Sequence, residues 1–547
     1  MCRTYSLHLR LYLLEVLPVL AVAILMPCDP AFAACDNTAP VSGQTVTCGT
    51  SAPNPSTAPV AAIAGSTGVT VTVQAGAEVD VTGNNVILVR DGSTVTNLGV
   101  LHDAGDTFDA ISAQGTSGGA GHDVLINRGT IVTSGVESEG MFNNSAAVTI
   151  LNDTNGVVRT TGNNSVAMYD FVSPGGGMLT NNGALSTNGD GSSGMAAFTN
   201  NDALVNNGSV ATTGAAAHGM MANGNAVGGT GNNVLTNHGT IDVSGANAHG
   251  FVSLDAAPGV VTNTGSVIAR GTGGLGGFFS GNVTLNNAAG ASITSQQANG
   301  IDANGGGTFN NAGTISGSVN AISIANGAAT VTNSGSLTSA SSQVISSTGP
   351  FSIVINNTGT ISGGSGSAIW TDSGDDTLNW SGGTVTGFIR LGAGNDTTNL
   401  TGLTDAQLAG VPSFDGGSGN DVLSFNGTSA SGVGRFVNWE TVNLVNGSRL
   451  TLDAGGLVLG DSGTLTGMLN IDSTSTVFAG GFGGTATIAP AVAGQRVTVS
   501  NAGTIDLTNG ATATPIRWRS TATTSGSTAA CCCKPCWAAT VRRATNW

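Results

Sequence analysis

The chain has 547 residues, 85 of them Gly, with 31 acidic residues against 15 basic ones. Residues 34–514 hold 8 Arg, no Lys and 29 acidic residues, a net of −21 that excludes nucleic acid and anionic lipid as natural partners. So much Gly, with no long stretch at helical spacing, also excludes a helical fold.

Arg3 and Arg10 flank the start of an apolar stretch, Leu11 to Met26, and Ala31-Phe32-Ala33 follows as an Ala-x-Ala cleavage site. Residues 1–33 therefore read as a secretory signal peptide cut between Ala33 and Ala34. Glu15 and Pro18 interrupt the run and argue against a membrane anchor. Export takes the mature chain to an oxidising compartment, where Cys35 and Cys48 are expected to form a disulfide within a cap segment, residues 34–60.

From residue 61 one phrase recurs: apolar, any, Asn, any, Gly, Thr or Ser, apolar. It reads Leu125-Ile126-Asn127-Arg128-Gly129-Thr130-Ile131, then Leu235-Thr236-Asn237-His238-Gly239-Thr240-Ile241, then Val261-Thr262-Asn263-Thr264-Gly265-Ser266-Val267. From Asn97 to Asn357 its Asn recurs at gaps of 30, 25, 29, 25, 31, 26, 24, 24, 22 and 24 residues. Such a period marks a solenoid, one repeat per coil. Val, Ile, Leu and Thr in short runs suit strands, and stacked coils bury what one coil cannot, with Leu235 and Ile241 lying on their counterparts. Asn and Gly at the turn tolerate a left-handed backbone, and stacked Asn side chains would hydrogen-bond along the axis. The fold class is thus all-β, a right-handed parallel β-helix solenoid: regular over 61–370, and irregular with Gly/Asp-rich turns over 371–513. At about 24 residues per coil it would have on the order of 19 coils and span roughly 90 Å.

The irregular part carries the candidate chemistry. Gly416-Gly417-Ser418-Gly419-Asn420-Asp421 matches a calcium-binding nonapeptide, with partial copies ending at Asp376 and Asp396. Asp376, Asp396 and Asp421 are 20 and 25 residues apart, one coil each, so they form either an Asp ladder with calcium or plain Gly-Asp turns. Trp370 and Trp380 flank Asp372, Asp375 and Asp376, the aromatic–acidic cluster that a glycan-active enzyme would need, though without a basic residue nearby in sequence. Gly460-Asp461-Ser462-Gly463 has the look of a serine-protease loop, but His102, His122, His218, His238 and His249 all lie inside repeats, so Ser462 has no assigned base.

The signal peptide, the Cys35/Cys48 pair, the Asn-x-Gly-Thr-Ile β-helix and the stretch Phe436-Val437-Asn438-Trp439-Glu440-Thr441-Val442-Asn443-Leu444 together resemble the passenger region of bacterial autotransporters (type V secretion). The resemblance runs to about Ala513. It implies a Gram-negative outer membrane, a passenger displayed at the cell surface or secreted, adhesin-like and non-enzymatic, and a C-terminal translocator β-barrel. Its partners would be surface molecules of a host or neighbouring cell, with no cofactor beyond the calcium considered above.

Residues 514–547 break the pattern. They carry Cys531, Cys532, Cys533 and Cys536, five basic residues and no acidic one. With suitably chosen synonymous codons, a frame beginning in the Arg517 codon gives a segment resembling the link between passenger and barrel. The tail thus reads as frame-shifted and disordered, and the chain as truncated before its barrel, which would hold it in the periplasm. The rival reading of the tail, a Cys-rich metal site, lacks His and crowds its ligands. A polysaccharide-active enzyme on the same scaffold, or an inert truncated product, is the alternative function.

Overall fold

The computed structural model describes residues 35–506, apart from 116–120, 146, 173–175, 225–230, 256–258, 464–465 and 480–485, together with Thr523–Thr524. The signal cleavage site Ala33/Ala34 and nearly all of the tail lie outside the described residues.

The chain winds into a parallel β-solenoid of about 17 turns, 49% strand and 2% helix. Each regular coil contributes three short strands to three columns. The first column runs from Thr45–Cys48 through Asp123–Asn127 and Val234–Asn237 to Thr498–Asn501. Every pairing within it is parallel and in register, as Leu235 with Val261 and Asn237 with Asn263. The second column begins at Glu78–Val81 and the third at Val60–Ala61.

Alternation along each strand builds the core. In Val234–Asn237 the burial runs exposed, buried, half-buried, buried, so Leu235 and Asn237 point inward. Leu204, Leu235 and Val261 stack in one inward row, and Val210, Ile241 and Val267 in another, all buried. A coil in this arrangement touches only its neighbours, so length adds stability without a growing globular core.

The expected order of 19 coils agrees with this architecture, the first column holding 20 strands, but coil length varies along the chain. Some coils carry inserted loops, as where Asn237 follows Asn206 by 31 residues, and late coils lengthen, Thr441 pairing with Met468 and Met468 with Thr498. The geometry changes at the 11-residue strand Thr360–Trp370, which pairs with both the second and third columns. Thereafter Arg449–Leu452, Thr476–Ala479 and Thr504–Asp506 join a separate four-stranded sheet.

The first coil is covered. Cys35 and Cys48 are joined by a disulfide of 2.00 Å, and Thr38 and Pro40 accept backbone hydrogen bonds from Ala61 and Ile63. The cap thereby occupies strand edges that would otherwise be open to another chain. Among the described residues no helix is long and apolar enough to cross a membrane.

Candidate functional site

Eleven inward Asn side chains, Asn97 to Asn357, form one continuous ladder. Each Nδ2 donates to the Oδ1 of the next Asn, as Asn97 to Asn127 and Asn237 to Asn263 at 2.8 Å, and Asn333 to Asn357 at 2.8 Å. These residues are fully buried and their amides are committed to each other and to nearby carbonyls, so they are structural. The Gly of the phrase has a different reason from the one expected. Gly129 and Gly239 do not have a left-handed backbone; a Cβ on either would collide with the carbonyl oxygen of Gly99 or Gly208 in the preceding coil.

The three Asp residues singled out in sequence do stack. They sit at the corner just before the first column and are bonded through the backbone. Asp376 N–H donates to Asp396 Oδ1 at 2.7 Å, Asp396 N–H to Asp421 Oδ1 at 2.8 Å, and Asp421 N–H to Glu440 Oε2 at 2.8 Å. Glu440 is therefore a fourth rung, 19 residues after Asp421; the coil-length spacing was its one sequence signal.

The second oxygen of Asp396, Asp421 and Glu440 is buried without a hydrogen-bond partner, while the Asp376 carboxyl also meets the Thr371 side chain. Burial is the main reason that Asp376 is pushed up to about 6, Asp396 to about 8 and Asp421 to about 7, with neighbouring carboxylates adding to it and hydrogen bonds opposing it, from the Thr371 side chain and Ile353 N–H at Asp376 and from backbone N–H groups at the other two. Glu440 is raised for the same first reason. The arrangement favours proton uptake. Calcium needs six to eight oxygens converging on one point, whereas here the carboxyls are strung along the axis. Among the described residues no group of three or more His, Cys, Asp or Glu could hold a metal ion.

Trp370 and Trp380 do not share a platform. Trp380 is 0% exposed, with Nε1 donating to the Gly382 carbonyl at 2.8 Å, while Trp370 is 40% exposed on the outer face. A basic residue does approach Trp370: Arg390, in register with it one coil on, lies 5.2 Å from the Trp370 ring centre and 5.8 Å from that of Phe388. Asp415 follows Arg390 in the same register. The sequence reading missed this cluster because 20 residues separate Arg390 from Trp370, although that gap is itself one coil.

Other groups resolve simply. Asp461 Oδ1 accepts from Gly463 N–H at 2.7 Å, making a turn around Ser462, and the described histidines end at His249, more than 200 residues earlier along the solenoid. His218 and His249 stack at 5.0 Å between ring centres. Their Nδ1 atoms accept from the backbone N–H of His249 and Leu275, and burial pushes both imidazoles down to about 4. Arg435 donates to the carbonyls of Leu408, Val411, Ser431 and Gly432, beside a shallow depression of about 450 Å³. Phe142, Tyr169, Phe171 and Phe198 form an outer aromatic cluster, with ring centres 5.3 to 6.5 Å apart, that the sequence reading did not single out.

No family model, curated protein or solved structure matches the chain.

Proposed function

We propose that the chain is an exported, autotransporter-type passenger that works as a non-catalytic binding surface at a cell exterior. The observation that carries the reading is the division of labour within each coil. Inward Asn, Thr and apolar residues are committed to ladders and core, while the outer positions of the same strands repeat Thr, Ser and Asn coil after coil. Such a fold extends a uniform surface over many turns, which suits repeated weak contacts with a partner on another cell. A disulfide-closed cap is in keeping with an oxidising, extracytoplasmic setting.

The experiment is display. Residues 34–513, fused to a translocating outer-membrane β-barrel in a Gram-negative host, should become accessible to external protease and promote attachment to other cells. Surface-exposed chain without attachment to any cell type would overturn the binding role; failure to reach the surface would overturn the passenger assignment.

A polysaccharide-active enzyme is the second reading, because Arg390 supplies beside Trp370 the basic residue that the sequence lacked locally. Turnover of any glycan polymer by purified chain, abolished by Asp372→Asn, would favour it over simple binding.

A further inference from the structure

The outer face of the solenoid is acidic and mostly short-chained, and one departure from this joins exposed aromatic rings to an exposed Arg. Trp370, Phe388 and Arg390 project from the merged strands Thr360–Trp370 and Thr384–Arg390. Trp370 is 40% exposed and Phe388 37%. Arg390 is exposed and lies over both rings. Its inward neighbour Ile389 and the partner Ile369 are buried, so strand alternation fixes Arg390 and Trp370 on the outer face.

The guanidinium is oriented but unengaged. Among the described residues the ion pairs are His102–Asp80, Arg128–Asp153 and Arg270–Asp242, and no side-chain hydrogen bond involves Arg390. Arg435, by contrast, donates to four backbone carbonyls. A planar fork held by two aromatic faces, with its donors free, is suited to a carboxylate. Exposed Trp and Phe rings are suited to the apolar face of a ring-shaped ligand, being rigid and large in contact area. Asp415, next in register, accepts from Asn438 Nδ2 at 2.7 Å through Oδ1 and is half-buried, so its other oxygen is placed to accept a hydroxyl proton. Three successive strands set these groups over about 10 Å, the length of one to two sugar rings.

We propose that Trp370, Phe388, Arg390 and Asp415 bind a terminal acidic sugar, a carboxylate-bearing pyranose at the end of an otherwise neutral glycan. The carboxylate pairs with Arg390, the ring lies against Trp370 and Phe388, and a hydroxyl donates to Asp415. Charge decides between a terminal acid and a polyanion. The whole chain carries a net −16, and Asp372, Asp375 and Asp415 lie around the patch, so a polymer with an acid on every ring is repelled beyond the one cation. A single carboxylate meets Arg390 alone. The proposal rests on the binding role advanced above and names its ligand.

The test uses the purified chain and isothermal titration with 3′-sialyllactose and methyl β-glucuronide, against lactose and polygalacturonate. At least one of the two small acids should bind at least tenfold more tightly than lactose, and polygalacturonate should bind more weakly per ring. Arg390→Gln and Trp370→Ala should each weaken the acid by at least tenfold; Arg390→Lys, which keeps the charge and loses the fork, should weaken it several-fold. All of these side chains are exposed, and circular dichroism of the variants checks that the solenoid persists. The site is overturned if neither acid binds better than lactose, if the variants bind as wild type does, or if polyglutamate binds through Arg390 as well as the sugars do. In the display assay, attachment retained by Trp370→Ala removes the site and leaves the binding role standing. Absence of attachment by wild-type chain that still binds the acid removes the role and leaves the site.

Discussion

Trp380 takes the place of the next Asn above Asn357. The two are in parallel register, and the Trp380 indole N–H donates to Gly382 as Asn357 Nδ2 donates to Gly359, two residues ahead in each case. The indole thus keeps the local bond of the ladder while ending its axial chain. Beyond it the row continues as Leu400, Phe425, Leu444 and Ile471, all buried and apolar. The internal polar spine therefore ends where the three-column geometry changes, and the later coils are held by bulkier apolar packing.

An interior rung should matter more than the last one. Asn237→Leu removes the acceptor of Asn206 Nδ2 and the donor to Asn263 Oδ1. Asn206 keeps a bond to the Thr240 carbonyl, so the cost should be about 2–4 kcal/mol, from one weakened and one orphaned buried group. Asn357→Leu deprives only Asn333 of an axial acceptor and should cost about 1–2 kcal/mol. Denaturant unfolding of both variants checks the order, and hydrogen exchange should place the lost protection in the coils flanking the substitution.

Glycine in the recurring phrase should resist even alanine. In Gly129→Ala the new methyl meets the Gly99 carbonyl, a backbone group that cannot swing aside, and the coils must separate locally. A loss of about 3 kcal/mol is expected, at the upper end for overpacking. Gly43, with φ of 73° and open space around it, supplies the contrast: Gly43→Ala should cost about 1 kcal/mol, from backbone conformation alone. Equal losses at the two positions, measured by denaturant unfolding, would refute the steric account.

The solenoid was legible because its information is repeated. Asn237 and Leu235 recur at coil spacing, and a period survives irregular loops. The reason for Gly239 was not legible, since the preceding coil's carbonyl comes into contact only after stacking. The Asp376–Asp396–Asp421 row was visible through its Gly-rich turns, while Glu440 was hidden by a turn of different composition, Asn438-Trp439-Glu440. Trp370 and Trp380 looked like neighbours along the chain, but strand alternation and the turn between them put one outside and one in the core. Arg390 is far in sequence and adjacent in space, which the parallel register alone reveals.

Calcium should leave the fold unmoved. Each ladder carboxyl directs one oxygen at a backbone N–H, and successive carboxyls lie on successive coils. Thermal unfolding in millimolar calcium should match that in chelator. A rise of several degrees with calcium but not magnesium would mean that the carboxyls rearrange into a convergent site.

The same ladder should make stability fall as pH rises. Asp376, Asp396 and Asp421 sit at about 6, 8 and 7 in the folded chain, above the ordinary carboxyl value of 3.8. Between pH 4 and 8 the folded state therefore binds more protons than the unfolded one, and each such proton lowers stability by about 1.4 kcal/mol per pH unit within its window. Below pH 4 both states are protonated and the penalty vanishes. His218 and His249 act in the opposite sense. Their folded values near 4 lie below the ordinary 6.5, so stability that is present above pH 6.5 is lost as pH falls toward 4. The two effects are separable by variant. Asp396→Asn keeps an acceptor for Asp376 N–H and removes one titrating group, so it should flatten the decline between pH 5 and 8. His249→Asn should flatten only the acid limb. A slope between pH 5 and 8 that Asp396→Asn leaves unchanged would show that Asp396 is not among the groups that couple this fold to protons.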